Sequence, residues 1–270
     1  MDSLLSTSTT EGDKERYQSQ LAEYGKQIGS AGMMHLAREA NLHKPQLHQF
    51  DLQGNRVDKT LYTSEYHSLM EYGISHHITN YGYQPAYNNN DEDEGVKQDS
   101  YNQHLVRAGF MYFENQLEPG HCCPLVMTSA AIPVFLKASS KSNNNDGEGS
   151  NYFASTWLPK LLSNVYDPRD VPVDEKAGVT IGMSMTEKQG GSDVRANTTI
   201  ATPFSSSDGT HHSGDSGSFY TLKGHKWFTS APMSDGFLTL AKTHGMCHSN
   251  DVHIIPTRVM VMMMMMMIVY

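Results

Sequence analysis

The sequence predicts an α+β fold, helical in its first part and β-rich in its second. Up to about residue 165, apolar residues recur at helical spacing, as at Leu21, Tyr24, Ile28 and Leu36. From Val179 the period changes. Val179, Ile181, Met183 and Met185 alternate with Thr180, Gly182 and Ser184, the two-residue repeat of a strand with unlike faces. Helical segments followed by strand segments separate into two domains, with the boundary placed near residues 170–178.

Residues 1–17 are polar and expected to be unstructured. Residues 18–175 form the predicted helical domain. Helical periodicity covers 18–40, and Pro45 ends that region. Asp51, Gly54 and Asn55 mark a turn, and 65–77 and 101–117 are again helical. Glu118-Pro119-Gly120 reads as a turn. Residues 125–137 read as a buried helix interrupted or bent at Pro133, and 157–165 as a short helix with Pro159 in its first turn. Two polar, low-complexity insertions interrupt this domain, near 87–97 and 139–150. Residues 176–258 carry the strands expected at 179–185, 197–202, 219–222, 227–229 and 236–242. Residues 259–270 hold seven of the 17 methionines and show no binary pattern, which marks an atypical tail.

Composition narrows the function. Of the 270 residues only 38% are hydrophobic, below the roughly 45–50% of compact chains, which fits polar loops inserted between folded segments. A net charge of −9 argues against a general nucleic-acid-binding surface. The three cysteines are odd in number and two are adjacent, so a disulfide framework is not expected; Cys122 and Cys123 read as buried thiols. The 14 histidines do not show metal-ligand spacing. The N-terminus lacks the apolar core of a secretory signal and no run reaches about 18 apolar residues, so an intracellular, reducing location is expected, without a specific compartment.

Chemistry concentrates in two segments. In Met183-Ser184-Met185-Thr186-Glu187-Lys188-Gln189-Gly190-Gly191-Ser192-Asp193, a strand enters a loop with paired glycines, expected to take up positive φ and let a ligand approach the backbone. Thr186 and Ser192 offer hydroxyl donors there, and Glu187 reads as a solvated loop carboxylate. In Lys223-Gly224-His225-Lys226-Trp227-Phe228-Thr229-Ser230, an aromatic pair followed by two hydroxyls can cover a flat ring and bond its edge.

Together these motifs resemble the acyl-CoA dehydrogenase family, and in particular its AidB branch. Phe50-Asp51, Gln53-Gly54, Cys123-Pro124, Met127-Thr128 and Asn197-Thr198-Thr199 resemble that branch as well. The resemblance implies a helical N-terminal domain followed by an incomplete β-barrel middle domain. It implies FAD as cofactor, wrapped by residues 183–192, among them Met183, Met185 and Gly191. Thr186 would bond the isoalloxazine edge, and Ser192 would lie by the pyrophosphate or the acyl-CoA. Phe228, Thr229 and Ser230 would face the ring, with Phe228 covering it; a one-residue slip moves these roles to Trp227, Phe228 and Thr229. The same resemblance implies an acyl-CoA substrate, oxidoreduction at a CH–CH bond and a homotetramer in the full-length form. It assigns no catalytic residue here, because the family's catalytic glutamate belongs to a second helical domain that this sequence does not match. A DNA-associated protective flavoprotein and an inactive fragment are the alternative readings, DNA entering only by analogy with the family. No membrane partner is expected.

Overall fold

The computed structural model describes residues 10–83, 100–141, 153–203, 220–243 and 260–263. The polar insertion near 87–97, residues 142–150 of the second and most of the methionine-rich tail therefore lie outside the described residues, whereas 139–141 continue a helix instead of opening the insertion. The chain divides into two compact units. One comprises residues 1–129 and 162–168, the other residues 130–161 and 169–270.

In the first unit, helix α1 spans Glu11–Ile28 and α2 spans Ala31–Leu42. The helical periodicity over 18–40 thus resolves into two helices. Helix α1 begins inside the stretch expected to be unstructured because Thr10 caps it, its hydroxyl accepting from the Asp13 N–H at 3.2 Å. Ser30 caps α2 in the same way. An antiparallel hairpin follows, β1 (Gln46–Phe50) with β2 (Arg56–Leu61), its turn held by the Asp51 carboxylate accepting from the Gln53 and Asn55 N–H groups. Helix α3 (Ser64–Ser75), a short 3-10 turn (Tyr81–Tyr83) and α4 (Ser100–Leu117) come next. Tyr17, Tyr24 and Ile28 line one face of α1 and meet Met70, Ile74, Val106, Phe110 and Leu125 in the core.

Helix α5 (Pro119–Lys141) runs unbroken through Pro124 and Pro133. The expected turn at Glu118-Pro119-Gly120 shrinks to one residue between α4 and α5, because Pro119 occupies a first-turn position where its missing N–H costs nothing. Over Pro119–Lys137 this helix is long and apolar enough to cross a membrane, but more than half of that stretch is buried in protein, as in a core helix. Cys122 is buried and Cys123 exposed, correcting the expectation of two buried thiols. Cys123 lies about 100° further round the helix than Cys122 and falls on its exposed side, while His121 and Cys122 both face the interior.

In the second unit, a π-helical turn (Phe153–Trp157) leads into the four-residue helix α6 (Leu158–Leu161), shorter than the helix expected over 157–165. Trp157 is fully buried and stacks on Phe135 at 6.1 Å between centroids. Two three-stranded sheets follow. In the first, β6 (Gly236–Thr239) lies between β3 (Ile181–Ser184), parallel to it, and β8 (Met260–Met263), antiparallel to it. In the second, β4 (Ile200–Pro203) lies between β5 (Tyr220–Lys223), antiparallel, and β7 (Lys242–Thr243), parallel. Among the described residues these sheets do not close into a barrel. Strand β3 is shorter than its sequence pattern and is buried at Ile181, Gly182 and Ser184, so its two faces are less unlike than the alternation suggests.

Candidate functional site

The two segments singled out by sequence lie side by side. Met183 bridges Ser230, whose N–H donates to the Met183 carbonyl at 3.3 Å. The hydroxyls of Ser184 and Thr229 are 2.8 Å apart. The Trp227 N–H donates to the Thr186 carbonyl at 2.8 Å, and Lys226 Nζ lies 3.1 Å from a Glu187 oxygen. Each step forward along 183–187 is matched by a step back along 230–226, so the segments run antiparallel in one register. Met185 and Phe228 fall opposite each other between these linked pairs.

Phe228 has φ of 57° and is 78% exposed. The left-handed region costs a bulky residue about 1–3 kcal/mol unless its surroundings hold it there. This corrects the strand expected at 227–229: strain, not regular extension, presents the ring. Positive φ falls at Phe228 and Ala231, while Gly190 and Gly191 do not adopt it. Gly190 serves another purpose, since a Cβ there would come within 2.4 Å of Asn197 Oδ1. Gly182 is likewise needed, because a Cβ there would meet Phe237 at 2.5 Å and the Ser230 carbonyl at 2.8 Å.

Of the predicted residues, Met183, Met185, Thr186, Thr229 and Ser230 are half-buried along this ladder, and Gly191, Ser192 and Phe228 are exposed. Trp227 is also exposed and meets Phe228 edge-on. Lys188 and Arg195 add positive charge on the same loop.

Glu187 corrects the sequence reading most. Instead of being solvated it is 1% exposed. One oxygen accepts from the Thr199 N–H at 2.9 Å and hydroxyl at 2.5 Å. The other accepts from the Thr198 N–H at 2.6 Å and hydroxyl at 2.9 Å, and from Gln189 at 2.7 Å. Burial alone would raise its pKa, but these donors outweigh it and hold the carboxyl well below the usual range. No local pattern signals this, because the acceptor and its threonine donors are 11 and 12 residues apart across an irregular loop.

A second cluster, in the helical unit, was also missed. His121 is fully buried, with Nε2 2.8 Å from Glu114 and Nδ1 3.0 Å from Glu118, and the Tyr24 hydroxyl donates to Glu114. The spacing of Glu114, Glu118 and His121, four then three residues, was the available signal for one helical face.

The family profile described as the adaptive response protein AidB N-terminal domain matches residues 1–168. The chain belongs to the AidB-like branch of the acyl-CoA dehydrogenase family. Escherichia coli (strain K12) AidB, whose name assigns it to the acyl-CoA dehydrogenases, is 35% identical over 225 residues, covering 83% of this chain and 35% of the relative. The Caenorhabditis elegans ACDH-11 structure in complex with C11-CoA superposes with a TM-score of 0.66 at 25% identity, covering 87% of this chain and 33% of that one. The structure titled Bd2924 apo-form gives a TM-score of 0.63 at 26% identity, with 90% and 40% coverage. The AidB-like chain spans about a third of the length of its curated relatives. These neighbours agree with the mixed helix and sheet architecture.

Proposed function

We propose that this chain forms part of the flavin site of an FAD-dependent oxidoreductase that introduces a double bond into an acyl-CoA. The observation that carries the reading is the ladder joining 183–187 to 226–230, with Thr186 and Ser230 along it and the strained, exposed Phe228 between linked pairs. The donor set fits the group. Thr186 and Ser230 offer hydroxyls for the edge of the isoalloxazine, and Phe228 offers an open aromatic face. Ser192, Lys188 and Arg195 suit the pyrophosphate. FAD, when bound, supplies the hydride-accepting ring. The chain's own residues bind that ring, orient it and shield it from water.

None of the described residues is assigned the role of base. Both Glu187 oxygens are occupied, and its depressed pKa leaves it little tendency to take up a proton. The acyl-CoA assignment is supported by the C11-CoA complex of ACDH-11. The net charge of −9 lends the DNA-associated reading no support.

The reading is tested by titrating FAD against the chain and following flavin fluorescence. Saturable quenching is expected, weakened at least about tenfold in T186V and F228A. No quenching at FAD concentrations up to about 100 μM, where binding of about 5.5 kcal/mol would register, overturns it.

A further inference from the structure

We infer that Glu187 is a positioning residue of this site: its buried carboxylate, through Lys226 and the Thr198–Thr199 pair, sets the register in which the 183–192 loop meets the 226–230 segment. The inference rests on the flavin reading for its purpose but on geometry for its substance. Glu187 and Lys226 form the last pair of the ladder, next to the Thr186–Trp227 backbone bond. Lys226 Nζ also donates to the Leu240 carbonyl at 2.7 Å, between β6 and β7. The Thr199 carbonyl accepts from the Lys242 N–H at 2.8 Å. One carboxylate therefore ties the loop, the entry to β4, the aromatic segment and the β6–β7 connection to a common point.

The turn before Lys226 is built to the same fit. A Cβ at Gly224 would come within 2.7 Å of the Thr199 Cα, so only glycine lets this turn close onto Thr199. Every group facing the carboxylate is a donor. A neutral amide in its place would turn an NH₂ toward other N–H and O–H groups and lose half the knot. The ladder would then lose its end pair, and with it the constraint that holds Phe228 in the left-handed region. Glu187 so acts on the flavin through backbone and neighbours, never by touching it.

The test uses the 270-residue chain with E187Q, T198V and K226M. One arm reads FAD affinity and the visible band of the bound flavin, the other reads hydrogen exchange of the flavin-free protein. E187Q is expected to bind FAD at least about tenfold more weakly. Its flavin band should shift and its Thr199 and Trp227 amides exchange faster, while amides of α4 keep their protection. T198V, which removes one hydroxyl donor, should move the same readouts by a smaller factor. A folded E187Q with wild-type affinity, band and Trp227 exchange overturns the inference. Should E187Q fail to fold, unchanged affinity and exchange in both T198V and K226M overturn it. Should the wild-type chain bind no FAD, the flavin reading falls by itself. Faster Trp227 exchange in the variants then still supports the clamp, and unchanged exchange sinks it.

Discussion

In the helical unit, Glu114 and Glu118 flank a buried His121, whereas in the β-rich unit Glu187 is met by loop N–H groups, hydroxyls and Lys226. The difference follows from the backbone around each acid. A helix consumes its own N–H groups, so Glu114, inside α4, takes its donors from side chains, His121 and Tyr24. Glu118 precedes α5, where free N–H groups remain, and it accepts from those of Gly120 and His121. The irregular segment around Thr198 and Thr199 offers N–H groups that no ladder has claimed, and Glu187 uses both. A buried acid in the helical unit therefore locks helices by charge, and one in the β-rich unit orders a loop. Damage to the first should appear as lost stability, and damage to the second as lost site geometry.

The largest effect is expected from His121→Ala. It strands two buried carboxylates, and removing one partner of a buried ionic group costs about 3–5 kcal/mol. Urea unfolding followed by circular dichroism checks it. A cost below about 1 kcal/mol, the level of an exposed ion pair, would break the comparison.

The pH dependence sharpens it. Burial pushes His121 down, but hydrogen bonds and charges from Glu114 and Glu118 prevail and raise its pKa from 6.5 to about 9. Its contribution, on the order of 3 kcal/mol, is complete below about pH 6.5 and fades as pH rises through 9. Glu118, held near 2 by His121 and the α5 N–H groups against its burial, contributes above about pH 4.5 and is lost as pH falls toward 2. Stability from this cluster should thus peak between about pH 4.5 and 6.5 and decline on the alkaline side. In His121→Gln the alkaline decline between pH 6.5 and 9 should disappear.

Gly182→Ala tests the other side of the comparison. The added Cβ meets the backbone carbonyl of Ser230, which cannot move without opening the Met183–Ser230 bridge. A loss of about 1–3 kcal/mol is expected in urea unfolding, together with weaker FAD binding. The smallest effect belongs to Phe228→Gly. It should raise stability by up to about 1 kcal/mol by relieving the left-handed strain, yet weaken FAD binding. A rise in both, or a fall in both, would show that the strain is not spent on presenting the ring.

The sequence made the broad architecture legible because its signals are local. Helical spacing through Leu21, Tyr24 and Ile28 and the switch of period at Val179 depend only on near neighbours. The loop at 185–193 and the aromatic segment after Gly224 were legible as motifs. Their mutual register was not, since it arises from contacts such as Met183 with Ser230, 47 residues apart by their numbers. Glu187 was misread for the same reason, its donors being folded back from Thr198 and Thr199. The paired glycines suggested positive φ, but tertiary packing gave that role to Phe228 and used Gly190 to make room for Asn197. The helical cluster escaped notice because Pro119 and Gly120 suggested a chain break between Glu118 and His121.

The most direct measurement is hydrogen exchange of the chain with and without saturating FAD, resolved to single segments. The account predicts new protection concentrated at residues 183–192 and 226–231, with α1 and α4 unchanged. Flavin binding that leaves these two segments unprotected, or protects a different part of the chain, would contradict it.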